Sequence, residues 1–309
     1  MILTVTPNPL LDYIIHSPVP PAQGGHRTRF IDWTVGGKGI NVARMLKTLG
    51  RPALAMGFAG GPNGEKIRQK LKDQGVSALF VPTEAETRVG INMVVENPPD
   101  QTWWIEDGEE LLESEIVEFL EMLERELPRT RILAMSGTIP GRNNRDLYRR
   151  VIERCRAYRC DIFIDARGDP LRAALEVGGF FLKHNRDEAR ESFGLDPFDE
   201  SGSGDFFKRL ADAGIWGALV TDGPRDALLW EPPHLWRLRP PVLREVSAIG
   251  SGDAAMAGLL WAHANGLDRL DAARWAMAAG AADALHPGPC EAGYLEIERR
   301  ISEIQVASS

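Results

Sequence analysis

Short apolar runs alternate with helical periodicities along most of this chain, and that alternation restricts its fold more than any other feature. Strands are predicted at residues 2–6, 53–58, 131–135, 161–164, 180–182 and 216–221. Helices are predicted at 39–49, 64–74, 113–127, 142–156, 252–264 and 270–285, with further helices between the later strands. In the first helix, Ile40, Ala43, Leu46 and Leu49 recur at core spacing, and Gly50 stops it. Strand–helix alternation implies a parallel sheet covered by helices on both faces. Such sheets bind ligands beyond the carboxyl ends of their strands. Thr6, Ser136, Asp165, the run Lys183-His184-Asn185 and the turn Thr221-Asp222-Gly223 all fall at such ends. The polar motifs are therefore expected to converge on one edge.

Two stretches interrupt the pattern. Residues 11–35 and 88–106 read as hairpin material, with extended pieces at 11–15, 27–35, 90–96 and 101–105 and a turn at Asn97-Pro98-Pro99-Asp100. A small sheet standing off the main body, able to act as a lid over the strand ends, is expected from them. The chain is read as a single domain over 1–309 with this lid inserted, and the last residues, near Ala307-Ser308-Ser309, as frayed.

Bulk properties narrow the function. The 309 residues are 43% hydrophobic and 26% charged, with 36 Lys+Arg against 44 Asp+Glu, a net charge of −8. That balance argues against general nucleic-acid binding, which needs a basic footprint. The 3 cysteines (Cys155, Cys160, Cys290) are too few for a disulfide framework and are read as free thiols. The 6 histidines make no zinc-type pairing. The opening run Met1-Ile2-Leu3-Thr4-Val5-Thr6-Pro7 reads as a strand rather than a signal peptide, and no apolar run approaches membrane-spanning length. A cytoplasmic protein is expected.

The chemistry concentrates in a few motifs. Ala248-Ile249-Gly250-Ser251-Gly252-Asp253 opens a helix. The first amides of a helix lack internal partners and sit at its positive end, so this segment suits an anion, and Asp253 stands where it could take a proton. Val35-Gly36-Gly37-Lys38-Gly39-Ile40-Asn41 opens another helix and matches neither a Walker loop nor a dinucleotide fingerprint. Lys38 and Asn41 suit a phosphorylated sugar. Asp12 could accept sugar hydroxyls, and Arg27, Arg29 and Arg88 could hold a phosphate. Asn185 reads as a helix cap, with Glu188 on the first turn. Each motif taken alone also fits a plainer role: a surface aspartate, solvated arginines, a flexible turn, a capped helix.

Together these motifs resemble the ribokinase-like (PfkB-type) family of carbohydrate kinases, in particular its phosphosugar branch. The resemblance runs from Thr4-Val5-Thr6-Pro7-Asn8-Pro9-Leu10-Leu11-Asp12, through Gly36-Gly37-Lys38-Gly39-Ile40-Asn41-Val42-Ala43-Arg44 and Ser136-Gly137-Thr138-Ile139-Pro140, to Gly250-Ser251-Gly252-Asp253. It implies an α/β fold of three layers, α/β/α, with a mainly parallel central sheet and a β lid. It implies transfer of phosphate from ATP, with Mg²⁺, to a ketohexose phosphate. Fructose 1-phosphate is the first expectation; tagatose 6-phosphate, fructose 6-phosphate or another sugar is the alternative, and a non-catalytic sugar-phosphate-binding protein is the more distant one. Asp253 would be the general base, and Gly250, Ser251 and Gly252 the anion hole. Asp12, Gly37 and Asn41 would bind the sugar, and Lys38, Arg27, Arg88 and Ser136 its phosphate. Lys183, Asn185, Thr221 and Gly223 would line the ATP site, and Glu188 would organise Mg²⁺ through water. The lid would also carry a homodimer contact. The sequence departs from the family pattern at His184, Asp222, Asp226, Ser247, Ala248 and Ala254, mainly on the nucleotide side.

Overall fold

A computed structural model describes residues 1–309 except 22, 28–30, 97, 98 and 309. The first half comprises β1 (Ile2–Thr6), β2 (Leu10–Ser17), β3 (Ile31–Gly36), α1 (Lys38–Thr48), β4 (Leu54–Phe58), α2 (Gly61–Asp73), β5 (Ser77–Val81), β6 (Val89–Glu96), β7 (Pro99–Ile105) and α3 (Glu113–Glu126). There follow β8 (Ile132–Ser136), α4 (Leu147–Cys155), β9 (Asp161–Asp165), α5 (Gly168–Leu175), β10 (Phe181–Asn185), α6 (Arg186–Phe193) and α7 (Glu200–Asp212). The chain continues through β11 (Gly217–Thr221), β12 (Ala227–Glu231), β13 (His234–Arg239), α8 (Ser251–Ala264), α9 (Arg269–Asp283), α10 (Tyr294–Ile301) and β14 (Gln305–Ser308).

Among the described residues the main sheet has 10 strands, in the order β14-β13-β12-β11-β10-β9-β8-β1-β4-β5. From β5 to β11 every neighbouring pair is parallel; β12, β13 and β14 add an antiparallel edge. Successive residues of each central strand point to opposite faces, and both faces are apolar. On β8, Ile132 and Ala134 join one core with residues of α1, α2, α8, α9 and α10, while Leu133 and Met135 join the other with α3 to α7. The chain leaves β1 for β4 on one side and later returns to β8 on the other, so the strand order switches beside β1. That switch opens a crevice at the ends of β1 and β8.

Gly36-Gly37 and Pro7-Asn8-Pro9 lead out of the main body into a second sheet of order β3-β2-β6-β7. Its register pairs Asp12 with Thr34 and Gly90. One end rests on α2, where the Lys70 ammonium lies 4.4 Å over the Trp33 ring. Ile31, Ile91, Trp103, Trp104 and Ile105 of this sheet remain exposed.

The expected layers are present, and the differences at the starts of two helices have local causes. Helix α2 begins at Gly61 rather than 64, because Pro62 occupies the first turn, where its missing N–H costs nothing. The helix expected from 142 begins at Leu147, since Gly141 takes φ 71° and Asn144 donates to Leu111 O (2.7 Å). Strands β12 and β13 and helix α10 were not expected at all. Of the terminus expected to fray, Ala307 and Ser308 belong to β14, which pairs with β13, and Ser309 lies outside the described residues. Of the turn expected at 97–100, residues 97 and 98 lie outside the described ones, and Pro99 and Asp100 already belong to β7. Of the extended piece at 27–35, β3 accounts for the part from Ile31.

Phe163 on β9 is fully buried, 5.4 Å from the rings of Phe181 and Trp216 and 5.1 Å from His263. Phe163→Ala should cost about 3–5 kcal/mol of stability by leaving a cavity that these rigid rings cannot fill. Urea unfolding measures it, and a loss below about 1 kcal/mol would contradict this packing.

Candidate active site

Three strand ends and three helix starts meet at one point. β9 ends on Asp165, which is 1% exposed. Its two oxygens take different lysines: Lys38 Nζ at 2.7 Å, from the first turn of α1, and Lys183 Nζ at 2.9 Å, from β10. Lys38 also reaches Glu188 Oε1 at 3.0 Å. Glu188 is held by a capping box: Asn185 Oδ1 accepts from its amide (2.8 Å), and Glu188 Oε2 accepts from the Asn185 amide (3.0 Å). Burial would raise the Asp165 pKa, but Lys183 and Lys38 outweigh it and hold the carboxyl well below the usual range. For Lys38, burial works against the charge, yet Asp165, Glu188 and Asp253 keep the ammonium protonated.

Asp253 lies beside this network in the first turn of α8. It is 7% exposed and accepts from Asn41 Nδ2 at 2.8 Å. Burial raises its pKa to about 6; Asp165 adds to the rise, while Lys38, Lys183 and the Asn41 hydrogen bond oppose it. A carboxylate near that value can hold and release a proton close to neutral pH.

The amides in front of Asp253 are set by glycine. Gly250 takes φ 85°, a left-handed conformation, and a Cβ there would collide with Pro289. The first helical bond is Ala254 N to Gly250 O (2.8 Å), so the amides of Gly252 and Asp253 point out of the helix end. No side chain caps that end. Behind it, buried Asp283 accepts from the amides of Cys290 (3.1 Å) and Glu291 (2.8 Å), fixing the loop that backs Gly250. The Lys183 ammonium would be 2.9 Å from a Cβ on Gly252, so a cation lies close beneath the helix mouth.

From that mouth a cavity of about 340 Å³ extends between Thr221-Asp222-Gly223-Pro224 and small residues of α8 and α9, including Ala255, Ala276 and Gly280. Lys183, Asn185, Ser251 and Gly252 form its polar end, and Leu243 and Met277 belong to its apolar wall. On the other side of Asp253, Gly37 takes φ 132° so that α1 can start tight against Thr6, with only 2.6 Å between Thr6 Cγ2 and a would-be Cβ. Asn41 Oδ1, Thr6 Oγ1 and Ser136 Oγ are buried without a protein partner. Those orphaned acceptors and hydroxyls mark the crevice as a place for a hydroxyl-rich ligand. Asp12, half-buried on β2, has its pKa raised by burial.

Several residues stand differently from expectation. The Lys38 ammonium is turned to Asp165 and Glu188. The Arg88 guanidinium donates to the carbonyls of Asn8 (2.8 Å), Pro9 (3.4 Å) and Glu106 (2.9 Å), and burial lowers its pKa to about 10. It thereby ties β6 to the β1–β2 connection, at the joint of the second sheet. Arg27 is exposed, and Arg29 lies outside the described residues. The sequence marks Asp165 only as a strand end; its signal is an aspartate closing the apolar run Ile162-Phe163-Ile164. The departures find partners within the chain. Asp222 meets Arg186 (3.0 Å), Asp226 meets Arg239 (2.7 Å), and His184 Nε2 lies 2.5 Å from Ala166 O.

A model of the pfkB family of carbohydrate kinases matches residues 10–294. The chain belongs to that family. It is 30% identical to a 1-phosphofructokinase of Borreliella burgdorferi, across 99% of this chain and 98% of that one. It is 29% identical to a 1-phosphofructokinase of Bacillus subtilis, across 92% of each. Its fold matches the crystal structure of phosphofructokinase-2 from Escherichia coli in complex with potassium, with a TM-score of 0.91 and 25% identity over 98% of both chains. The protein is a phosphofructokinase-type sugar kinase, and ATP use goes with its family.

Among the described residues no group of three His, Cys, Asp or Glu side chains is gathered for a metal ion. Mg²⁺ commonly binds through one or two carboxylates, waters and the substrate's own phosphates, and Glu188, next in the chain to the cavity residues Arg186 and Asp187, is a carboxylate that could reach such an ion through water. Asp165→Ala should strand two lysines without their shared anion and cost about 3–5 kcal/mol. Denaturant unfolding tests this, and a loss under about 1 kcal/mol would mean the pairing contributes little.

Proposed function

We propose that this kinase transfers the γ-phosphoryl group of ATP to the free primary hydroxyl of fructose 1-phosphate, giving fructose 1,6-bisphosphate and ADP. One observation carries the chemistry: a buried aspartate with pKa near 6 adjoins outward-pointing amides at a helix start, with a lysine beneath them. Asp253 accepts the hydroxyl proton as oxygen attacks phosphorus, and the bond to the bridging oxygen of ADP breaks. The amides of Gly250 and Gly252, with Lys183, oppose the charge on the phosphoryl group in flight, whereas the Ser251 amide, expected to join them, donates to Ala248 O at 3.3 Å. Asn41 holds the Asp253 carboxylate in place. Asp12 and Gly37 receive the sugar, and Ser136 and Arg27 receive its phosphate, while Arg88, held by the carbonyls of Asn8, Pro9 and Glu106, fixes the joint of the second sheet instead. Thr221, Gly223 and Asn185 receive the nucleotide. Glu188 would hold Mg²⁺ through water, and that ion would neutralise phosphate charge when bound. Lys38, already paired with Glu188 and Asp165, is poised between the two substrates and exchanges one carboxylate for a phosphate when they arrive.

The second sheet acts as the lid, with Arg88 at its joint. Its exposed Ile91, Trp103 and Trp104 suit a contact with a second copy of the chain. The substrate assignment draws on the two relatives named 1-phosphofructokinase.

Asp253→Asn should lower kcat by about 10²–10⁴ with the melting temperature kept. Near-normal turnover would remove Asp253 from the role of base. The base works when deprotonated, and its pKa is raised, so activity is lost as pH falls. kcat/KM should drop about tenfold per unit below pH 6 and level off above it. A panel of fructose 1-phosphate, fructose 6-phosphate, tagatose 6-phosphate and free sugars should give the highest kcat/KM for the first. Trp104→Glu should shift light scattering from dimer to monomer; an unchanged mass would move the dimer contact elsewhere.

A further inference from the structure

Asp222 is a carboxylate in the wall of the cavity read above as the nucleotide site. A triphosphate entering that cavity meets like charge unless something cancels it. Arg186, the first residue of α6, lines the same cavity. Its Nη1 donates to Asp222 Oδ2 at 3.0 Å. Its Nε and Nη2 donate to Asp196 at 3.0 and 2.7 Å, and the ring of Phe198 lies 5.2 Å beneath the guanidinium. Arg190 approaches Asp196 as well. The Arg186, Asp222 and Asp196 side chains are 19%, 13% and 9% exposed, so their charges are poorly screened. Arg225 also reaches Asp222, at 3.4 Å, but its side chain is 74% exposed and its contribution is correspondingly small. The turn itself is held by main chain, with Asp222 N donating to Asp226 O and Arg225 N to Asp222 O, both at 3.0 Å. The Asp222 side chain is thus not what shapes the turn.

We propose that Arg186 determines the affinity of this kinase for its anionic phosphoryl donor by cancelling the charge of Asp222, with Asp196 and Phe198 holding the guanidinium in place. The inference rests on the reading of this cavity as the ATP site. It makes Arg186 a positioning residue that acts through Asp222, because its donors are already engaged. Charge compensation and simple structural clipping predict different signs. If the pair is only a clip, removing either side chain harms ATP binding. If Arg186 cancels charge, removing it harms binding and removing Asp222 does not.

Steady-state kinetics on Arg186→Ala, Asp222→Ala and the double variant decide between them. Arg186→Ala should raise KM for ATP about tenfold, while kcat and KM for fructose 1-phosphate stay within about twofold. Asp222→Ala should leave KM for ATP unchanged or lower it, and the double variant should recover most of the loss. A KM for ATP within about twofold of wild type in Arg186→Ala, or a rise in Asp222→Ala matching that of Arg186→Ala, overturns the proposal. Should Arg186→Ala fail to fold, Asp222→Ala alone still decides: a raised KM for ATP overturns the proposal, and an unchanged or lowered one supports it. Ala281→Phe, which narrows the cavity, tests the underlying reading separately. Unimpaired ATP binding in that variant would mean the nucleotide sits elsewhere, whatever the Arg186 result.

Discussion

The Asp165 carboxylate, shared by Lys38 and Lys183, is the interaction on which the rest of the site depends. A buried charge is costly unless paired, and here one anion answers two cations from different elements. The pairing fixes the start of α1, the end of β9 and the middle of β10 relative to one another. Glu188 joins through Lys38 and adds the start of α6. The same arrangement supplies the field in which Asp253 sits. Two lysines would make an isolated aspartate strongly acidic; burial and the neighbouring Asp165 reverse that and leave it a usable base. The carboxylate proposed as the base is thus tuned by a second carboxylate, Asp165.

Glycine sets the positions where backbone must meet ligand. Gly37 and Gly250 both adopt positive φ at helix starts, and both are packed so closely that no side chain could be added. Each helix therefore opens against a strand end or a loop with its first amides uncovered. The small residues of α8 and α9 continue this logic. A Cβ on Gly280 would lie 3.0 Å from Ser251 O, so the two helices pack closely beside the cavity.

The parallel sheet was legible because its strands are short and mostly apolar, and most of its helices carry one-sided periodicity. The motifs at the strand ends were legible because glycine and carboxylate in those places have few other uses. What escaped notice was long-range. β14 is strand only because β13 offers it an edge, and nothing local in Gln305–Ser308 announces that. Lys38 reads as a cation for phosphate until Asp165 and Glu188, far along the chain, are brought to it. Arg88 reads as a ligand until three carbonyls of the lid joint surround it. Asp222 looks like a defect in the nucleotide turn until Arg186 is seen across from it. In each case the missing information is a partner distant in sequence, which composition and periodicity do not encode.

The Asn41–Asp253 hydrogen bond spans 212 residues, the Lys38–Glu188 pair 150 and the Lys38–Asp165 pair 127. The residues proposed to receive the sugar and its phosphate all precede residue 140, and those proposed to receive the nucleotide all follow residue 180. A ribosome delivers the first half long before the second exists. Loop closures of this length are slow and lend little stability until neighbouring contacts form. Asp253 and the Asn41 amide that orients it are therefore joined late, and a half-finished chain lacks both this pairing and the cavity beside α8 and α9. Recovery of turnover during refolding would time the final long-range closure of this molecule, more faithfully than the return of helix or sheet signal.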